Sequence, residues 1–184
     1  MNFQTIGRNN SKGNTATNRL TIVLFTIYFI VLSWILLFKL GVRFSYMGNR
    51  NVNLVPFGEL FLYGKMNSSQ IILNVVIFVP LGIYAGTLFE KWVFGKQLFF
   101  FFLISFIVEA LQFILAIGAF DMTDVFTNTL GGLMGLLIFK GLKHVFHNSV
   151  KAQKFINIIG VIGTIFVVLF IVLLKIDMLP IRYK

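Results

Sequence analysis

The feature that most constrains this chain is a series of five apolar runs separated by polar connections. The runs cover residues 20–38, 71–89, 98–120, 125–139 and 155–174. A helix needs about 20 apolar residues to cross the ~30 Å hydrocarbon core of a bilayer. No run shows the period-two alternation of a transmembrane barrel strand. The sequence therefore predicts an all-α, polytopic transmembrane helix bundle with about five spans.

The fourth run is short for a span, and two explanations stay open. Either its helix takes up a turn before Val125, or it lies where the bilayer is thinned. We expect three parts along the chain. These are a polar cytoplasmic N-terminus over residues 1–19, a single transmembrane domain over 20–175 and a short tail over 176–184.

Composition supports a membrane environment. Charged residues make up 12% of the 184 and hydrophobic residues 58%, whereas a soluble domain carries roughly 25% charged residues. The net charge of +10 is spread through the connections, where lipid headgroups are met. It does not form the basic stripe with interleaved aromatic residues that is typical of nucleic-acid binding. We therefore expect membrane lipids as partners and no nucleic acid. The lack of cysteine excludes disulfides and thiolate metal sites.

The distribution of Lys and Arg predicts an orientation, because cytoplasmic connections carry an excess of both. The third connection, residues 121–124, contains neither. The fourth contains Lys140, Lys143, Lys151 and Lys154. This difference predicts a cytoplasmic N-terminus and an outward third connection. The first and fifth runs carry no charged side chain, so we interpret them as lipid-facing support.

Polar residues inside apolar runs are informative, because an ionisable side chain at mid-span costs ~2.5–3.5 kcal/mol. In the predicted orientation they fall at one depth, towards the outer face. Asn74, Glu109, Gln112 and Asn128 lie inside the runs, and Asp121 and Asp124 lie at the outer mouth of the third and fourth helices. The motifs Gly82-x-x-x-Gly86 and Gly131-x-x-x-Gly135 allow close backbone approach. They predict that the second and fourth helices lie side by side.

Glu109 is the position that most favours a functional site. A carboxyl group inside a span with no adjacent Lys or Arg is protonated, paired with a distant arginine or coordinating a cation. Arg43 and Arg50 of the first connection are the expected bidentate donors. For Asn74 and Gln112, simple hydrogen bonding between helices is an equally good interpretation.

Four motifs in order resemble the VanZ-like membrane family. They are Arg50-x-x-Asn53-Leu54-x-Pro56-Phe57, Asn74 followed by Phe78-Val79-Pro80-Leu81-Gly82, Glu109-x-x-Gln112, and Phe120-Asp121-x-x-Asp124 with Asn128-Thr129-x-Gly131-Gly132-x-x-Gly135. Two positions depart from the pattern, because Ala119 and Thr123 stand where many members have an arginine and a third acid. The resemblance implies a bacterial cytoplasmic-membrane protein. It also implies an association with resistance to the glycopeptide teicoplanin, but it lends no settled reaction.

Three functions compete. The first is a cell-envelope protein whose outer-facing polar pocket binds a lipid-linked wall precursor or a lipoglycopeptide. The residues expected to bind this ligand are Arg43, Arg50, Asn53, Asn74, Glu109, Gln112, Asp121, Asp124 and Asn128. A homo-oligomer is left open.

The second is an intramembrane enzyme acting on an isoprenoid or phospholipid headgroup, with Glu109 and Asp124 as candidate catalytic residues. Oxygen atoms of Asp121, Asp124 and Asn128 suit Mg²⁺ or Ca²⁺. The third is a proton-coupled transporter in which Glu109 cycles its charge. The sequence offers this transporter no second buried acid on the cytoplasmic half.

Overall fold

Five long helices and one short strand pair make up the fold in the residues that the computed structural model describes, 3–38, 52–58, 68–116 and 118–175. The helices are α1 (Phe3–Phe38), α2 (Ser68–Leu88), α3 (Phe94–Ile114), α4 (Met122–Phe146) and α5 (Ser149–Lys175). The strands β1 (Val52–Asn53) and β2 (Phe120–Asp121) pair in parallel. All five helices are long and apolar enough to cross a membrane. The predicted all-α bundle of about five spans is confirmed.

The helix ends differ from the limits of the apolar runs. α1 extends back to Phe3, through the polar segment that precedes its run. α3 ends at Ile114, because the chain then turns through Ala116 at a φ of 56°. α4 has 25 residues, and at ~1.5 Å per residue it exceeds the ~30 Å core. The fourth helix is therefore long enough without a thinned bilayer.

The antiparallel helices give the bundle two chemically different ends. One end holds the start of α2, the end of α3, the strand pair and the start of α4; we call it the polar end. The opposite end holds the turns between α2 and α3 and between α4 and α5; we call it the basic end. Its described cations are Arg19, Lys91, Lys96, Lys140, Lys143, Lys151 and Lys154.

Helices α2 and α4 approach so closely that three positions have room only for glycine. An added Cβ would lie 1.9 Å from a backbone oxygen at Gly82, 2.2 Å at Gly131 and 1.9 Å at Gly135. In a bilayer, helices gain little from hydrophobic association, so close backbone packing supplies much of the attraction. The predicted contact between the second and fourth helices is confirmed.

Helices α1 and α5 are joined by buried hydrogen bonds between uncharged side chains. The Thr21 hydroxyl lies 2.9 Å from Asn157 Oδ1, and Gln153 Nε2 donates to Thr21 Oγ1 at 2.8 Å. Asn157 Nδ2 donates to the carbonyl oxygen of Thr17 at 3.1 Å. Outward-facing residues such as Ile162 are exposed and apolar. The two helices thus combine a lipid-facing surface with a polar contact. This contact was not predicted, because the two runs were interpreted from their lack of charged residues.

The glycine contact makes a prediction about stability. Replacing Gly135 by Ala forces α2 and α4 apart, and overpacking of this kind costs about 1–3 kcal/mol. The measurement is the free energy of unfolding of the purified chain in mixed detergent micelles. Gly141→Ala is the matched control, since a Cβ there meets nothing within 4 Å. Equal stability of the two variants would contradict the packing role assigned to Gly135.

Candidate functional site

The strand pair fixes the start of α4 at the polar end. Asp121 adopts extended backbone angles (φ −122°, ψ 118°), and its Oδ1 accepts a hydrogen bond from the Thr123 backbone N–H at 2.7 Å. This is the usual arrangement of an aspartate that caps a helix N-terminus. In the parallel pair Asn53 lies opposite Asp121, and Asn53 Nδ2 lies 3.4 Å from Asp121 Oδ2. The segment around β1 is therefore held against the first turn of α4.

A second contact strengthens this attachment. The backbone N–H of Phe57 donates to Thr123 Oγ1 at 3.1 Å. Phe57 has a φ of 57°, in the left-handed region that non-glycine residues seldom adopt. The hydroxyl of Thr123 therefore helps to hold an unfavourable turn. In the sequence Thr123 is only a departure from a family pattern, and this role was not predicted.

Asp124 is buried in the first turn of α4 and is held by amide groups of α2. Its Oδ1 accepts from Asn74 Nδ2 at 2.7 Å. Gln70 Nε2 lies 3.1 Å from one carboxylate oxygen and 3.0 Å from the other. The close glycine contact brings the two helices near enough for these bonds. Gln70 was not predicted as a site residue, although its spacing of four residues from Asn74 places both on one helix face.

Glu109 brings α3 into the same cluster. Its side chain is 2% exposed, and Oε2 accepts from the Asp121 backbone N–H at 3.3 Å. The three acids thus lie around the start of α4, where the first-turn N–H groups favour negative charge. The structure brings together Asn53, Asn74, Glu109, Asp121 and Asp124, all of them sequence-predicted site residues.

The two remaining described candidates, Gln112 and Asn128, face other helices. Gln112 Nε2 donates to the carbonyl oxygen of Leu36 in α1 at 2.6 Å. Asn128 Nδ2 donates to Ser105 Oγ in α3 at 2.9 Å. Both amides therefore join helices, as the alternative interpretation of Gln112 expected. Ser105, one turn from Glu109, is a further polar residue that sequence analysis missed.

Both amides also keep an unused acceptor. Within the described ranges no hydrogen-bond partner reaches Gln112 Oε1 or Asn128 Oδ1, although both atoms are buried. A buried polar atom without a partner costs about 1–3 kcal/mol. Such atoms are rare in folded proteins, and water or a ligand commonly satisfies them. Two buried acceptors at the polar end are therefore left without a donor among the described residues.

An apolar layer closes the polar end on the inside. One to two turns below Asn74, Ser105 and Asn128, the bundle is filled by fully buried side chains. They are Phe78, Leu81, Phe101 and Leu136. The ring of Phe101 fits against Gly132, where an added Cβ would lie 2.6 Å from Cγ. This layer separates the polar end from the basic end.

Two expectations concerning ligands stay predictions. Arg43 and Arg50 lie outside the described residues. The oxygens of Asp121, Asp124 and Asn128 stay candidates for Mg²⁺ or Ca²⁺. Over the part of the chain that is described, no three His, Asp or Glu side chains are grouped closely enough to hold a metal ion. Both Asp124 oxygens accept amide N–H bonds, and a cation would have to displace them.

Comparison with known proteins gives two matches. The VanZ/LLP1 family profile matches residues 25–147. Protein VanZ of Enterococcus faecium is 36% identical over 142 residues, which make up 76% of this chain and 84% of that protein. No solved structure matches the chain. The profile match runs from α1 to the end of α4 and includes every described residue of the polar cluster.

The bond between Asn74 and Asp124 makes a measurable prediction. Interhelical hydrogen bonds in membranes average ~0.6 kcal/mol, and bonds to charged groups are stronger. We expect a double-mutant cycle of Asn74→Ala and Asp124→Ala to give a coupling energy of about 1–2 kcal/mol in unfolding free energy. Asn74→Ala combined with Asn157→Ala is the control, because the two sites share no contact and should act additively. If the effects of Asn74→Ala and Asp124→Ala on the unfolding free energy were additive, the bond would contribute nothing to stability.

Proposed function

Because this chain belongs to the VanZ/LLP1 family, we propose that it is a bacterial cell-envelope protein associated with resistance to teicoplanin-type glycopeptides. It lies in the cytoplasmic membrane as a multi-pass protein, with a cytoplasmic N-terminus and an outward polar end. There it binds the polar part of a lipid-linked wall precursor or a lipoglycopeptide.

The acceptor-rich chemistry of the polar end carries this proposal. The described amide N–H groups of Asn53, Gln70 and Asn74 are directed at carboxylates. Amide oxygens of Gln112 and Asn128 meanwhile have no donor among the described residues. A ligand with ammonium, amide N–H or hydroxyl groups matches this surplus of acceptors. Amino sugars and peptides supply such groups.

Arg43 and Arg50 have a complementary part in the proposal. Both precede β1 in the sequence, and β1 packs on the acidic start of α4. Guanidinium groups bind phosphate and carboxylate in a bidentate manner. In this proposal they take the anionic groups of the ligand, while the acids and amide oxygens take its donors. The lipid portion of the ligand stays in the bilayer.

The apolar layer favours binding over transport. The side chains of Phe78, Leu81, Phe101 and Leu136 are almost completely buried between the two ends. A proton path through the described bundle would have to cross this layer. None of its four side chains is titratable, so none of them can carry a proton. The layer is compatible with a pocket that opens to one side of the membrane.

Substitution of the buried acids tests the function. In a teicoplanin-susceptible bacterium expressing the full chain, we expect Glu109→Gln and Asp124→Asn to lower the minimum inhibitory concentration to that of the empty vector. The physical reason is the loss of charge at the centre of the proposed site. Binding of fluorescently labelled teicoplanin to the purified variants should weaken about tenfold or more, the effect of losing a buried charged contact.

Glu90→Gln is the matched control. Glu90 is an exposed acid at the opposite end, paired with Lys143, so the same chemical change there should leave both measurements unchanged. Membrane protein levels are compared by immunoblotting. Unchanged susceptibility and unchanged binding in Glu109→Gln and Asp124→Asn, at parental protein levels, would rule out this site.

The orientation is tested by labelling, because the chain contains no cysteine. Val55 is exposed beside β1 at the polar end, and His147 is exposed at the basic end. In intact cells we expect an impermeant maleimide to label Val55→Cys and to leave His147→Cys unlabelled. Permeabilised cells, in which both should react, provide the control. Labelling of His147→Cys alone would invert the proposed orientation.

A further inference from the structure

The basic end has far more positive than negative charge. Seven cations with described side chains lie here, whereas Glu90 is the one acid in the described part of this end. Three of the lysines have specific neighbours: Lys143 pairs with Glu90, Lys96 lies 4.4 Å from the Trp92 ring centre, and Lys140 lies 5.1 Å from that of Phe94.

A cavity opens between the helices at this end. It has a volume of about 570 Å³ and lies between the α2–α3 turn, α1 and the start of α5. Its polar lining is formed by Asn18, Thr87, Glu90, Lys91, Ser149 and Gln153. Its apolar lining includes Leu88, Phe89, Trp92, Phe139 and Val150. The cavity therefore matches a ligand that is polar in one part and apolar in another.

Lys91 gives the cavity its net charge. The other charged lining residue, Glu90, is neutralised by Lys143. No ion pair joins Lys91 to an acid within the described ranges. The first backbone N–H groups of α5 contribute little, because Asn148 Oδ1 already accepts from Val150 and Lys151 at 2.8 and 3.1 Å. One ammonium group thus sets the preference of the cavity for an anion.

Aromatic side chains place the cavity at the level of the membrane surface. Phe89 and Trp92 stack with ring centres 4.3 Å apart, and Trp92 packs edge-on against Phe100. Tryptophan next to lysine is typical of the interface between hydrocarbon and headgroups. Basic pockets between transmembrane helices bind anionic lipid headgroups.

From the cavity, its unpaired lysine and its aromatic border, we propose that this end is a specific binding site for an anionic phospholipid. The phosphodiester lies at Lys91, beside the Ser149 hydroxyl and the Asn18 amide group that also line the cavity. The upper part of its acyl chains packs along Phe89 and Trp92. This site is separate from the polar end and does not depend on the function proposed there.

Trp92 reports directly on this site. The chain has two tryptophans, and Trp34 lies near the polar end of α1, so Trp34→Phe leaves Trp92 as the single tryptophan, which is excited selectively at the red edge of its absorption. The full chain is reconstituted in phosphatidylcholine vesicles containing equal mole fractions of brominated phosphatidylglycerol or brominated phosphatidylcholine. We expect brominated phosphatidylglycerol to quench Trp92 more strongly, with a relative binding constant about fivefold above that of phosphatidylcholine.

Two lysine variants in this background separate a specific site from general surface attraction. Lys91→Gln should abolish the preference, a loss of about fivefold. Lys154→Gln makes the same charge change at the same end, but Lys154 does not line the cavity. In this variant the preference for phosphatidylglycerol over phosphatidylcholine should stay near the parental value. Equal quenching by the two lipids in the parent would overturn the proposal. An equal loss in both variants would also overturn it, because the attraction would then be diffuse.

Discussion

The close contact between α2 and α4 determines most of the remaining geometry. At Gly82, Gly131 and Gly135 the two backbones lie so near that a methyl group would overlap backbone oxygen. This separation puts Asn74 opposite Asp124 at 2.7 Å. At Gly132, in the same stretch of α4, the ring of Phe101 packs against the backbone. This contact brings α3 against α4 as the third side of the bundle. A wider spacing would break the amide contacts to the acid and open the apolar layer beneath them.

The polar end departs from what stability alone would favour. Apolar side chains of similar volume would remove the two donorless oxygens of Gln112 and Asn128, although the Leu36 carbonyl oxygen would then lose the donor that Gln112 supplies. Proteins retain such costly groups chiefly where function requires them. Asp121 has both a structural role and a place in the proposed site. One of its carboxylate oxygens caps a helix, and its backbone N–H donates to Glu109. Structure and proposed chemistry therefore share atoms, and a substitution there affects both.

The spans, the helix pairing and the cluster were predictable because each has a local signature. Apolar length identifies a span, small residues four apart identify a close contact, and an acid inside a run is conspicuous. Gln70 was missed because it lies just outside its apolar run, where polar residues are ordinary. The pairing of Val52 with Phe120 was not predictable, since two-residue strands have no periodicity. Thr123 likewise acquires its role only through the loop that folds onto it.

The hydrogen bonds between α1 and α5 join a helix that is synthesised early to one that is synthesised much later. Thr21 and Asn157 are 136 positions apart, which takes about 7–27 s to synthesise at roughly 5–20 residues per second. During that interval the polar side chains of α1 rely on water at the membrane surface or on the insertion machinery. The bundle closes when α5 arrives. Release of α1 from the insertion machinery is thereby coupled to the synthesis of α5.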